Sequence, residues 1–343
     1  MDLRVALIGC GTVGQGLLEI LRDRAAEIDR RTGLRLRVVG IADLKMGSCE
    51  APGGLDPAQV LAAARAGSFA GLPGAEQRRD ALALIRAVPA DVVAEATFTN
   101  LETGEPAIGH VRAALTLGRS VVTTNKGPAA LALGEMLALA ARHGAQFRYE
   151  GTVMSGTPVI GLAERALAGD TIQEIRGILN GTTNFILTKM EAGGSYGDAL
   201  AEAQRLGYAE ANPAGDVEGH DAQGKVIILA AALMGTRLTA AQVPCEGITR
   251  ITPEMIARAR AEQKRYKLVG VVRRTGKGVE GSVAPQALPF DDPLAGISGV
   301  TNAVNFRTDL LGSLTVVGPG AGRVETGFAL LADLIEVGRG MGR

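Results

Sequence analysis

The sequence contains no tryptophan, and Phe, Trp and Tyr together make up 3% of its 343 residues. The interior of such a chain must be aliphatic, packed from Ala, Val, Leu and Ile. Net charge is missing too: Lys plus Arg and Asp plus Glu number 36 each. A nucleic-acid or acidic-membrane partner would favour a basic excess, so neither is expected. Cysteine is scarce. Cys10, Cys49 and Cys245 are an odd number without CxxC spacing, which argues against a disulfide framework or a structural zinc site. That usage fits a reducing, cytoplasmic compartment. No run of about 18 apolar residues marks a membrane span. The N-terminal MDLRVALIGCGTVG opens directly as a strand, without the charged region and long apolar stretch of a signal peptide.

What is present is ordinary for a globular chain, with 46% apolar and 21% charged residues. The length predicts two domains, or one large one. Strands are predicted at 5–8, 36–42, 91–95, 120–123 and 146–149, and helices between them at 11–26, 105–117 and 129–143. This alternation predicts an α/β domain over 1–150, a doubly wound parallel sheet. The stretch 47–74, rich in Gly, Ala and Pro, predicts one helix within an excursion. Past residue 151 the texture is α+β. Helices are predicted at 157–168, 183–192, 196–206 and 221–234. Strands are predicted at 172–179, 268–273, 281–285 and 303–308. These define a second domain over 151–317. A last helix, 324–337, follows the glycine turn Gly318–Gly322, and the segment 318–343 is expected to rejoin the first domain.

Gly9-Cys-Gly11-Thr12-Val13-Gly14 is a G-x-G-x-x-G between a predicted strand and a predicted helix. In that context Gly9 permits the tight turn, Gly11 lets backbone approach a pyrophosphate, and Gly14 lets helix and strand pack closely. The helix start, with Thr12 and Val13, offers unpaired N–H groups to phosphates. Cys10 inside the motif reads as a packing residue, because nothing nearby would activate a thiol. Asp43 ends the second strand, where a carboxylate bonds a ribose 2′-hydroxyl and favours NAD. Lys45 points the other way, toward the 2′-phosphate of NADP. Both are equally readable as exposed loop charges, so NAD and NADP stay open. Thr97, past the strand ending at Glu95, reads as a cofactor contact or a plain loop residue. The turn around Gly320 would bring further backbone N–H groups to the cofactor.

The stretch from Leu206 to Leu229 turns from polar to apolar after Lys225. With a helix starting near Asp221, Asp221 and Lys225 share one face four residues apart. Such a pair beside a pocket suits proton transfer and a zwitterionic substrate. On spacing alone a surface salt bridge of a few tenths of a kcal/mol is the favoured reading. His220 is discounted as a base, since adjacent helical residues do not share a face.

The motif LGYAE-x-x-P-x-x-D-x-x-G-x-D-x-x-x-K, running from Leu206 to Lys225, resembles the signature of homoserine dehydrogenases. So does Gly177-Ile-Leu-Asn180-Gly-Thr-Thr-Asn-Phe-Ile-Leu-Thr-Lys-Met190. Further matches are Val121–Lys126, Glu150–Pro158, Pro293–Ala303 and Gly318–Gly322, in family order over nearly the whole chain. The resemblance implies reversible, NAD(P)-dependent interconversion of L-homoserine and L-aspartate 4-semialdehyde, within threonine and methionine biosynthesis. It implies Lys225 as the catalytic proton donor and Lys126 as a second active-site lysine. It implies Glu210, Asp221 and, on a weaker match, Asp216 as substrate-binding acids. Glu150, Val153, Ser155 and Thr157 match a segment that holds a monovalent cation, sodium, largely through main-chain oxygens. A homodimer or higher even oligomer, built on the second domain's sheet, is implied as well. The likeness is to the short form, so feedback through a regulatory domain is not expected.

Departures flank the substrate pocket: Gly127-Pro128 follows Asn125-Lys126, the usual glycine turn reads Met154-Ser155-Gly156-Thr157, and Gly224 precedes Lys225. They leave two competing readings, a sister dehydrogenase for another hydroxylated acid and a non-catalytic dinucleotide sensor. Against the sensor stand the intact Lys225, Asp221 and Glu210. A phosphorylating semialdehyde dehydrogenase fits poorly, because Cys245 carries no nucleophile signature.

Overall fold

A computed structural model describes residues 1–73, 75–78 and 80–342. Gly74, which ends the predicted excursion, and Arg343, which ends the predicted C-terminal segment, lie outside the described residues. The chain divides into two units: Met1–Gly156 with the chain from Gly322 onward, and Thr157–Ala321.

The first unit runs β1 (Asp2–Ile8), α1 (Thr12–Thr32), β2 (Arg35–Asp43), β3 (Gly47–Glu50), α2 (Pro57–Ala66), β4 (Glu76–Arg78), α3 (Ala81–Ala87), β5 (Val92–Glu95), α4 (Ala107–Thr116), β6 (Ser120–Thr123), α5 (Lys126–Leu131), α6 (Leu133–Arg142) and β7 (Phe147–Arg148). Its seven-stranded sheet, among the described residues, has the order β4-β3-β2-β1-β5-β6-β7. The strands from β2 to β7 pair in parallel. In β1, Val5, Ala6, Leu7 and Ile8 are all buried, because helices cover both faces of a parallel sheet. The order reverses at β1, so the carboxyl ends of β1, β2 and β5 open onto one crevice.

The excursion differs from its single predicted helix. It adds β3 and β4 antiparallel to the edge of the sheet, around α2. Helix α3 was not predicted, although Asp80 caps it through Ala83 N–H at 2.7 Å. The helix predicted at 129–143 is two helices, α5 and α6.

The second unit runs α7 (Ile160–Ala166), β8 (Ile172–Ile178), α8 (Gly181–Glu191), α9 (Tyr196–Arg205), α10 (Ala214–Val217), α11 (His220–Met234), α12 (Pro253–Ala261), β9 (Lys264–Thr275), β10 (Gly278–Pro289), β11 (Thr301–Thr308) and β12 (Ser313–Pro319). Its sheet has the order β10-β9-β8-β11-β12, antiparallel throughout. Helix α11 lies on β9 and β10, where a Cβ on Gly270 or Gly281 would stand 2.8 or 2.9 Å from Val226. Those glycines admit α11 close to the sheet and sink the adjacent Lys225. The turn predicted at Gly318–Gly322 begins as strand, with Gly318 opposite Asn302.

The last helix, α13 (Arg323–Met341), belongs to the first unit and packs on α1. A Cβ on Gly16 would stand 2.0 Å from Arg323 O, and one on Gly327 would stand 2.5 Å from Leu17 N. Both helices are bare of side chains at the crossing, so their backbones meet. Among the described residues no helix is long and apolar enough to cross a membrane.

Candidate active site

The glycine motif forms the turn between β1 and α1. Gly9 has φ +92°, and a Cβ on it would lie 2.4 Å from Ala96 O. On Gly14 it would lie 2.3 Å from Gly9 O, so the helix is seated against the turn. On Gly11 it would meet nothing within 4 Å. Gly11 is also the N-cap of α1, with no capping side chain and no acidic residue in the first turn. Exposed Thr12 and half-buried Val13 complete an unneutralised helix start. This is a bare cradle of N–H groups under positive helix-end potential, and it suits the phosphates of a dinucleotide.

Asp43 ends β2 beside that turn. Its Oδ2 accepts from Cys10 N at 2.9 Å, and its Oδ1 from Lys45 N at 2.9 Å and Met46 N at 3.2 Å. The carboxylate therefore ties the glycine turn to the β2–β3 hairpin, while Lys45 stands in solvent. Burial pushes the Cys10 thiol up to about 12, with Asp43 adding to the shift, which suits a packing role. Thr97 lies just past β5 and donates its hydroxyl to Glu95. Gly320 follows β12 in the second unit, packed over the Asn302 carboxamide.

The second unit assembles the other cluster. Lys225 is 7% exposed, although Asp221 is its i−4 neighbour on α11. Its Nζ donates to Asp221 Oδ2 at 2.7 Å and to Leu179 O, beyond β8, at 2.6 Å. An ammonium has three N–H donors, so one remains for an incoming oxygen. The lysine is thus buried and oriented, unlike that of a surface bridge, while Asp221 keeps some access to water. Asn180, the N-cap of α8, gathers the acids. Its Nδ2 donates to Asp216 Oδ1 at 2.7 Å and Asp221 Oδ2 at 3.0 Å, while its Oδ1 accepts from Thr183 N at 2.9 Å. Burial raises the Asp216 carboxyl above its usual range, and the Asn180 hydrogen bond opposes that rise. The charge on Asp221 adds to it.

Other candidates lie outside that hydrogen-bond network. Glu210 is exposed in the loop after α9, its main-chain oxygen accepting from Gln204 Nε2 at 3.1 Å. Lys126 opens α5 in the first unit, behind the buried N-cap Asn125, whose Oδ1 accepts from Gly127 N at 2.9 Å. His220 is exposed and paired with Glu218 at 3.2 Å.

The Glu150–Thr157 segment forms a tight coil. Glu150 N donates to Asp333 Oδ2 at 3.0 Å. Met154 and Ser155 have φ +59° and +56°, left-handed values that side chains rarely take. The two residues redirect successive carbonyls. Ser155 Oγ lies 2.9 Å from Thr326 Oγ1, and Thr157 Oγ1 donates to Pro319 O at 3.0 Å. Among the described residues no three His, Cys, Asp or Glu side chains gather as a metal site.

Two buried polar residues carry networks that their sequence positions did not reveal. Asn180 stood inside a quoted motif without a role, and its position between strand and helix was the available signal. Glu95, buried at the end of β5, was read only as strand.

Two family models cover the chain. The homoserine dehydrogenase model matches residues 158–335, and the homoserine dehydrogenase NAD-binding-domain model matches residues 9–150. The chain is 48% identical over 340 residues to an NAD(+)-dependent homoserine dehydrogenase of Pseudomonas canavaninivorans, covering 98% of this chain and 96% of that one. It is 39% identical to a homoserine dehydrogenase of Methanocaldococcus jannaschii, covering 97% and 98%. Among solved structures it resembles a hyperthermophilic archaeal homoserine dehydrogenase in complex with NADPH, with TM-score 0.85 and 31% identity, covering 99% and 98%. The chain belongs to the homoserine dehydrogenase family, NAD(P)-dependent oxidoreductases that act on a CH–OH group.

Proposed function

We propose that the chain interconverts L-homoserine and L-aspartate 4-semialdehyde with NAD as the preferred cofactor. The buried Lys225 carries this reading: it is held by Asp221 and Leu179 O with one N–H left over. In the reducing direction that N–H donates its proton to the oxygen of the forming alcohol. In the oxidising direction the lysine takes the proton back. Asp221 holds the ammonium in place through both steps. With Asp216 ionised, two carboxylates face one lysine, and the cluster keeps a negative charge. That charge and Glu210 suit the ammonium group of an amino acid. Lys126 assists in orienting the substrate.

When bound, the nicotinamide supplies and receives the hydride. Gly9, Gly11, Thr12, Val13 and Gly14 hold its phosphates, and Thr97 and Gly320 line its path. Asp43 supports the NAD preference, because a carboxylate at the end of β2 suits a free 2′-hydroxyl and repels a 2′-phosphate. The most similar relative described above is named for NAD(+). Lys45, in solvent, then takes no part in discriminating between the two.

The same reading assigns a sodium ion to main-chain oxygens at Glu150 and Val153, with Ser155 and Thr157 beside them. It places the enzyme in the cytoplasm, in threonine and methionine biosynthesis. The first unit serves the dinucleotide, and the second serves substrate and oligomerisation, in a homodimer or larger even assembly. Light scattering that gave the monomer mass of 35.3 kDa would remove the assembly. The central test is steady-state oxidation of L-homoserine and other hydroxy amino acids, each with NAD and NADP. Turnover of homoserine with NAD ahead of NADP is expected. Faster turnover of another hydroxy acid would overturn the substrate.

A further inference from the structure

A second buried polar network occupies the carboxyl ends of β5 and β6 in the first unit. Its centre is Glu95, which is 0% exposed. Its Oε1 accepts from Thr97 N at 3.2 Å and from the Thr97 hydroxyl. The Thr123 hydroxyl reaches Glu95 O at 2.9 Å and Oε2 at 3.1 Å. Asn125 N donates to Thr123 Oγ1 at 3.0 Å, so the Thr123 proton must point back at Glu95. Asn125 Nδ2 then returns to the first loop, donating to Thr97 O at 3.2 Å and Phe98 O at 2.8 Å. His110 Nδ1 stands 3.6 Å from Glu95 Oε1, buried behind it. The directions at Thr123 and at the Asn125 amide are fixed, because the main-chain N–H groups of Asn125 and Gly127 can only donate to them.

We propose that Glu95 is a positioning residue for the reaction. It locks the Thr97–Phe98 loop to Thr123 and Asn125, and so fixes the start of α5 that carries Lys126. One buried carboxylate thereby sets a cofactor-facing loop and an active-site lysine in a single register. This rests on the roles proposed above for Thr97 and Lys126. Among the described residues the Glu95 side chain is buried without an Arg or Lys partner, a costly arrangement that the three hydroxyl and amide donors offset.

The test uses the full chain and three variants: Glu95→Ala, Glu95→Gln and Thr123→Val. Glu95→Ala frees the loop and should lower kcat about tenfold or more, with the homoserine KM within about twofold, because displaced groups cost rate steeply. Glu95→Gln should recover most of kcat. Its amide oxygen can still accept from Thr97, and Thr123 can turn its proton onto Glu95 main-chain oxygen. Thr123→Val, nearly isosteric, should lower kcat by about threefold, since it breaks the hydroxyl's links to Glu95 and Asn125 but leaves those between Thr97 and Glu95. If Glu95→Ala kept kcat within about twofold while only its melting temperature fell, the role would be structural and the proposal wrong. Should Glu95→Ala not fold, Thr123→Val decides by the same criterion. A parent enzyme inactive on homoserine would instead refute the functional reading. The network is then judged by dinucleotide affinity, which Glu95→Ala should weaken and which, if unchanged, overturns the proposal.

Discussion

Replacing Lys225 with alanine removes one ammonium and leaves two acceptors behind. Leu179 O sits in a residue that is 1% exposed, and it loses its donor at 2.6 Å. Asp221 loses a donor at 2.7 Å but keeps Asn180 at 3.0 Å, and its side chain is 21% exposed. Water can reach Asp221, so the cost falls below the range for a fully buried broken pair. About 1–3 kcal/mol of stability is expected to go, the desolvation cost of one unpaired buried acceptor. The chemical loss is separate. A positioned proton donor contributes roughly 10²–10⁴-fold to kcat. At the lower limit that is about 2.7 kcal/mol of barrier. A thermal melt reads the first loss, and kcat at saturating homoserine and NAD, on folded protein, reads the second. Dinucleotide affinity should hold, because the glycine motif lies in the first unit. Lys225→Met, which keeps the buried stem but supplies no donor, should also lose the rate and leave Leu179 O unpaired, so the melts of the two variants differ only by the packing of the stem. A lysine that only bound substrate would raise KM and spare kcat. A kcat within about twofold of the parent would refute the proton-donor argument and move attention to Lys126.

The glycine geometry separates two mutants. Gly11→Ala projects into open space, so its melt should match the parent while the KM for NAD rises about tenfold or more. Gly14→Ala drives a methyl to within 2.3 Å of Gly9 O, so its melting temperature should fall. Equal melts for the two would contradict the seating of α1. Asp216 titrates high in the folded state because it is buried. Its folded pKa lies above its unfolded one, so native stability is lost as pH rises from the ordinary Asp value through the raised one. Asp216→Asn should therefore melt higher than the parent at pH 7, with the gain vanishing below about pH 3.8, and it should raise the homoserine KM. Burial lowers Lys267 to about 8, with Nζ enclosed by Asn184 Oδ1 and Ile297 O. Between about 8 and the unfolded value near 10.5 the unfolded chain binds more protons, so the parent gains stability with pH. Melts of the parent and Lys267→Met across that window should show the parent gaining on the variant. A constant difference would mean that the lysine does not titrate there.

Local chemistry made much of the first unit legible. Val5–Ile8, the glycine motif and the helix behind it form one contiguous strand, turn and helix, so their signals need no distant partner. The same holds for α9, α11 and β8, whose predicted bounds agree with the structure to within a residue or so. Helix α12 was missed although Thr252 and Pro253 are a helix start, the Thr252 hydroxyl accepting from Met255 N at 3.3 Å. Strands β9 and β10 run well past their predicted ends, where polar residues such as Lys264, Arg265, Glu280 and Gln286 interrupt the apolar runs. Strands β3 and β4 are stabilised by pairing at a sheet edge, and no short window records that pairing.

For the site, the sequence by itself determined which residue types were available and in what order: a G-x-G-x-x-G after a strand, an acid four residues before a lysine, and motifs similar to one enzyme family. Whether Asp221 and Lys225 are a solvated pair or one drawn in against the sheet depends on what packs around them. The tertiary structure decided it. Gly270 and Gly281 let α11 down onto the sheet, and Asn180, 41 residues before Asp221, turns its amide to both acids. Glu95 was settled the same way, since its donors come from Thr97 beside it and from Thr123, 28 residues on. Spacing along a helix tells which side chains share a face, but the medium that face meets is set by distant chain, and the medium decides whether a charge pair is a surface ornament or a proton donor.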